Sequence, residues 1–158
     1  MIQLTIKFES VPVAELEAKQ LRADSSPVRP VALVVDDQRL IADTLAVILN
    51  NAGYAATAAY DAESAMDMAS IVPPELLITD VFMPGMDGIE LAFAMKKVVP
   101  DCRILLFSGQ AANANLLLTA HGGGHDFAVL AKPIHPHDLL AHVSRLSGIG
   151  DSTFKSEG

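Results

Sequence analysis

Four polar groups each follow directly on a short apolar run. Asp36-Asp37 follows "VALVV" (Val31–Val35), and Asp80 follows "LLIT" (Leu76–Thr79). Ser108-Gly109 follows "ILLF" (Ile104–Phe107), and Lys132-Pro133 follows "FAVLA" (Phe127–Ala131). A carboxylate at the end of an apolar strand costs several kcal/mol when it is buried and unpaired. If the runs are parallel strands, their ends share one rim and the carboxylates crowd there. Each pair then repels by roughly 4 kcal/mol at about 4 Å and an effective dielectric of about 20. Protonation, a cation or a paired lysine relieves that repulsion. The chain supplies Lys132, and oxygen ligands with little sulphur or imidazole nearby suit Mg²⁺. A carboxylate beside Mg²⁺ and an ammonium can bind and accept a phosphoryl group. Ser108 would then offer a hydroxyl to the new phosphate oxygens.

These residues need a scaffold that brings strand ends together. The four apolar runs look like strands buried on both faces. "AATAA" (Ala55–Ala59) is the weakest candidate and suits a sheet edge. Between the strands lie helical patterns. Leu40, Ile41, Thr44, Leu45, Ile48 and Leu49 form a stripe closed by Gly53 as a C-cap. A second helix spans Asp61 to Ile71 and stops at Pro73-Pro74. A third spans Gly88 to Val99, with Ile89, Ala92 and Phe93 on one side and Pro100 beyond. A fourth runs from Ala111 to His121 and ends in Gly122-Gly123-Gly124, and a fifth from His135 to Leu146. Strands alternating with helices imply an α/β fold with a doubly wound parallel sheet. Ligands of such sheets sit at the carboxyl ends of the strands, where Asp80 falls.

Composition sets the outer bounds. The 158 residues fit one domain, with 51% hydrophobic and 19% charged residues. A net charge of −8 argues against a nucleic-acid binder with a basic face, and against docking on anionic lipid. Cys102 is the single cysteine, so no intrachain disulfide forms and a reducing compartment is expected. No apolar run approaches the roughly 20 residues of a membrane span, and the N-terminus lacks a signal-peptide core. The expectation is a soluble, cytoplasmic protein.

Taken together, the acidic pair, the run "DVFMPGMDG" from Asp80, Ser108-Gly109 and Lys132-Pro133 resemble a response-regulator receiver domain of two-component signalling. The resemblance covers about Arg29 to Leu146. It implies a flavodoxin-like five-stranded sheet of order 2-1-3-4-5 with helices on both faces. It implies that Asp80 is the phosphoacceptor. Asp37, Asp80 and the backbone carbonyl of Phe82 would hold Mg²⁺ directly, with Asp36 acting partly through water. Lys132 would contact the phosphoryl group, with a cis bond to Pro133, and Ser108 would be the switch hydroxyl. The implied partners are a histidine kinase or phosphotransfer protein and a downstream protein, the latter on the face of the fourth helix, fifth strand and fifth helix. Neither nucleic acid nor membrane is expected as a partner, and a homodimer is compatible. On this reading the only reaction catalysed is the domain's own phosphorylation and dephosphorylation.

Two positions depart from the family pattern. Three residues before the lysine, where many receivers carry an aromatic rotamer switch, this chain has Val129, with Phe127 two residues earlier. Two residues after Asp80 stands Phe82, which cannot orient an attacking water as an amide could, so a long-lived phosphoryl group is expected. A switch between 1:99 and 99:1 needs about 5.5 kcal/mol of differential binding.

Plainer roles compete for the same residues. Asp36-Asp37 could cap the first helix, and Asp87-Gly88 reads mainly as a turn and helix start. Met83 and Met86 read as packing residues. His121, His125, His135, His137 and His142 invite a zinc site, but their spacing matches no established ligand set, so surface or capping roles are expected. An aspartyl phosphatase would want a second acid where Phe82 stands. A nucleotide-binding domain would want "GGG" to open a helix rather than follow one. A degenerate receiver acting as a phosphorylation-independent adaptor is the alternative, and the intact set of residues argues against it.

Three segments follow. Residues 1–29 form an extension and linker, with a possible strand at Ile2, Leu4, Ile6 and Phe8, a possible helix over Val13–Leu21, and "RADSSPVRP". Residues 30–147 form the receiver domain. Residues 148–158 form a polar, flexible tail, too short for an output domain, so a stand-alone receiver is expected.

Overall fold

A computed structural model describes residues 28–109 and 127–147. The expected N-terminal strand and helix, the fourth helix with its glycines, His121, His125 and the tail lie outside the described residues.

Five parallel strands form one sheet in the order β2-β1-β3-β4-β5. They are β1 (Val31–Val35), β2 (Ala55–Ala59), β3 (Leu76–Asp80), β4 (Arg103–Ser108) and β5 (Ala128–Ala131). The helices are α1 (Arg39–Asn51), α2 (Ala62–Ile71), α3 (Gly88–Val98) and α4 (Pro136–Ser147), the last corresponding to the expected fifth helix. The expected order and the edge position of Ala55–Ala59 are borne out.

Strand periodicity sorts side chains to the two faces. Leu33, Val35, Leu77, Ile104 and Leu106 point to one face, where they meet Ala62, Ala65 and Ala69 of α2 and Leu91, Ala92 and Met95 of α3. Ala32, Val34, Leu76, Ile78, Leu105 and Phe107 point to the other, against Ala42, Leu45, Ala46 and Leu49 of α1 and Leu139 and Val143 of α4. The central strands β1, β3 and β4 are therefore almost wholly buried, as continuous apolar runs require. β5 is the second edge, as the expected order requires, but its residues are only partly buried or exposed rather than buried on both faces.

Helix ends follow local chemistry. Asp61 caps α2 by accepting from the Ser64 amide at 2.7 Å. Asp87 and Glu90 close a reciprocal capping box on α3. Beyond α1, Gly53 takes a φ of 100°, a left-handed turn that favours glycine. The α1 stripe is rotated from the expected one. Leu40 is 80% exposed and Thr44 faces solvent, while Ala42 and Ala46 are buried in the core beneath α1. The exposed edge of β2 carries its own cover: the Asn50 side-chain amide accepts from Ala56 N (2.9 Å) and donates to Ala56 O (3.0 Å).

Candidate functional site

Strand register assembles the site. Val35 of β1 is level with Thr79 of β3, so Asp36 falls level with Asp80, whose partner on β4 is Phe107. One residue further along β4, Ser108 pairs with Ala131, and Lys132 follows. The expected rim therefore exists, and Asp36, Asp37, Asp80, Ser108 and Lys132 all stand on it or within two residues of it.

Carboxylate oxygens of Asp36, Asp37 and Asp80 all lie within 4.8 Å of one another. Asp36 is buried, Asp80 partly buried and Asp37 exposed, a graded opening toward solvent. Lys132 Nζ donates to Asp36 Oδ2 at 2.8 Å and stands 3.4 Å from Asp80 Oδ1. The lysine is thus held more closely by Asp36 than by Asp80. Asp36 is buried and needs a charged partner; Asp80 keeps an oxygen open to the rim. Asp36 Oδ1 also accepts from Gln38 N at 2.9 Å, fixing the turn into α1. The helix-capping role weighed for this pair is not found: the N-cap residue is Gln38, without a side-chain cap bond, and Asp36 holds only the turn before it. Burial pushes the Asp80 carboxyl above the usual carboxylate range and the Asp36 charge adds to this, against the opposing pull of Lys132.

The Asp80 backbone is held as firmly as its neighbours. Thr79 Oγ1 donates to the Asp80 carbonyl at 2.9 Å, and Gly88 N donates to Val81 O at 2.8 Å. A Cβ added at Gly88 would stand 1.9 Å from the Asp80 carbonyl oxygen. Sequence reasoning gave Gly88 only a turn role. The signal was a glycine at a helix start in the same loop as Asp80, but the close approach depends on how α3 returns over β3. The loop between them leaves Phe82 53% exposed, Met83 packed in the core and Met86 on the surface.

Ser108 is fully buried at the end of β4, and its carbonyl accepts from Lys132 N at 2.9 Å. The Lys132–Pro133 bond is cis. Val129 is partly buried against the core on the α2–α3 side. Phe127 is also in the core, edge-to-face on Phe93 of α3 with centroids 5.1 Å apart. No register shift therefore brings Phe127 to the position of the family's aromatic. Among the described residues the acidic triad is the one group of metal-ligating side chains; His135, His137 and His142 form none. His135 instead opens α4, its Nδ1 accepting from His137 N and its carbonyl from Asp138 and Leu139.

The donor set suits a hard divalent cation. Three carboxylates against one ammonium leave net negative charge, and all donors are oxygen, which fits Mg²⁺.

The model of the response regulator receiver domain matches residues 32–144. The chain belongs to the response-regulator receiver family, whose members are signalling modules of two-component systems. It is 35% identical over 114 residues to the response regulator receiver protein CpdR of Brucella abortus (strain 2308), covering 72% of this chain and 93% of CpdR. It is 32% identical over 114 residues to the response regulator MprA of Mycobacterium avium (strain 104). There the match covers 72% of this chain and 49% of MprA, so the chain's matching part spans about half of that relative. Among solved structures, the Vibrio cholerae chemotaxis protein CheY4 superposes with a TM-score of 0.70 at 26% identity, over 75% of this chain and 99% of that one. A CheY-like receiver domain from Methanospirillum hungatei JF-1 gives 0.70 at 27% identity, over 76% and 95%. No helix among the described residues is long and apolar enough to cross a membrane.

Proposed function

We propose that Asp80 is the phosphoacceptor of this receiver, taking a phosphoryl group from a phosphohistidine of a kinase or phosphotransfer protein. The observation that carries the reading is the placement of Asp80 Oδ1 3.4 Å from Lys132 Nζ, while the lysine is anchored on buried Asp36. A carboxylate oxygen of Asp80 attacks phosphorus, the phosphorus–nitrogen bond breaks, and the imidazole nitrogen keeps the electron pair. Asp36, Asp37, Asp80 and the Phe82 carbonyl would hold Mg²⁺, which supplies charge neutralisation for the phosphoryl oxygens. Lys132 is positioned to pair with one of those oxygens, and Ser108 to donate its hydroxyl as the switch residue.

The output is a change of protein contacts. Of the expected output face, β5 and α4 belong to the described residues, and the fourth helix of the sequence reading does not. We assign the downstream contact to that face, and the protein to the cytoplasm, where a histidine kinase's phosphodonor domain would be met.

Incubation with acetyl phosphate and Mg²⁺ tests the chemistry. One phosphoryl group added with Mg²⁺ and none with EDTA supports it. Incorporation that is indifferent to chelation contradicts the proposed metal group.

A further inference from the structure

On its α2 side the sheet carries an apolar cleft that the phosphoacceptor site does not use. The fully buried residues of α2 are all alanines, Ala62, Ala65 and Ala69, with Met66 and Met68 only partly buried, and Thr57, the β2 register partner of Leu33, is left exposed. The resulting cleft, about 180 Å³, is walled by Val31, Leu33, Thr57, Met68, Ile71 and Pro74. On its rim Ile71 is 80% and Val72 53% exposed. Three residues before Val31, Val28 is 91% exposed. Exposed apolar surface gathered in this way around a cleft marks a contact site rather than a solvated face.

The chain brings a candidate occupant to the spot. Arg29 donates from its guanidinium to the carbonyls of Asn50 and Gly53, and Pro30 O accepts from Ala55 N at 2.8 Å. The N-terminal segment is thus tethered where β1 and β2 begin, at the end of the sheet where the cleft opens. Its run Val13–Leu21 offers Val13, Leu16 and Leu21. The seven residues from Leu21 to Val28 reach at most about 25 Å, and the tether makes docking intramolecular at high effective concentration. Addition of a strand to β2 is disfavoured. Ala55 N and Ala59 O face β1, so the Ala56 N–H and C=O face outward, and the Asn50 amide already occupies both. What stays open is the cleft, which takes side chains.

We infer that residues 13–21 of this chain dock their apolar side chains in the cleft between β2 and the C-terminal end of α2. This contact needs no phosphoryl group and stands or falls apart from the chemistry at Asp80.

A thiol reporter tests it in the full chain. Thr57 is exposed and lines the cleft, while the native Cys102 is fully buried. Maleimide labelling of Thr57→Cys is compared with labelling of Thr57→Cys carrying Leu16→Asp and Leu21→Asp. Docking nine-tenths populated slows labelling about tenfold in the first protein relative to the second, independently of protein concentration. Equal rates overturn the inference. So does protection that grows with protein concentration, which would place a second copy in the cleft. Ile71→Cys, on the cleft's rim and also exposed, serves as a second reporter with the same expected ratio.

Discussion

Lys132 Nζ is 2.8 Å from Asp36 Oδ2 and 3.4 Å from Asp80 Oδ1, so one ammonium spans a buried carboxylate and the proposed phosphoacceptor. The two contacts serve different ends. Asp36 fixes the lysine in place, and Asp80 is left in its field with an oxygen facing the rim.

Removing the lysine therefore affects stability as well as chemistry. Lys132→Met leaves Asp36 buried without its ion partner, a loss of about 3 kcal/mol. Urea denaturation should show that loss, and Asp36→Asn in the same chain should recover most of it. If Lys132→Met alone is neutral, the pair does not carry the charge balance assigned to it.

The raised Asp80 carboxyl has a pH signature in metal-free protein. Its ordinary ionisation lies below its folded one, so the folded state binds the proton more tightly and ionisation opposes folding. Stability should fall as pH rises from the usual carboxylate range through the folded value, and remain lower above it. Asp80→Asn should lack this component and be the more stable protein at neutral pH in EDTA. Thermal melts from pH 4 to 7, with pH varied in about unit steps, measure the difference. A wild type that gains stability over Asp80→Asn across that window would reverse the sign.

Gly88 sets the position of the Asp80 backbone. Gly88→Ala introduces a Cβ at 1.9 Å from the Asp80 carbonyl oxygen, so strand end and helix start must part. A destabilisation of about 1–3 kcal/mol is expected, together with slower phosphorylation. Calorimetry and phosphorylation rate on the same sample check both.

These cases show what the sequence could and could not reveal. Asp36-Asp37, Asp80, Ser108 and Lys132 were legible because each ends a strand, and parallel register alone brings strand ends together. The buried central strands were legible from unbroken apolar runs. Finer packing was not. Leu40 and Thr44 fit a helical stripe as well as Ala42 and Ala46 do, and only tertiary packing decides which pair is buried. Asn50 reads as an ordinary helix residue until its amide meets the edge of β2. The division of Lys132 between two carboxylates depends on their burial, which periodicity leaves open.

On the proposed reading, Phe82 sets how long the phosphoryl group survives. Its side chain is 53% exposed beside the site and offers no group to orient water. Phe82→Asn should shorten the lifetime of purified phosphoprotein by about tenfold, the equivalent of about 1.4 kcal/mol in the barrier. Phosphate release followed over time with Mg²⁺ present measures it. Rapid loss from the wild type would remove the role given to Phe82.

The most direct test of the central claim is intact mass after exposure to acetyl phosphate and Mg²⁺, for wild type and Asp80→Asn side by side. One phosphoryl group on the wild type and none on the variant is the expected result. Equal addition to both proteins would place the phosphoryl group on another residue and contradict the assignment of Asp80.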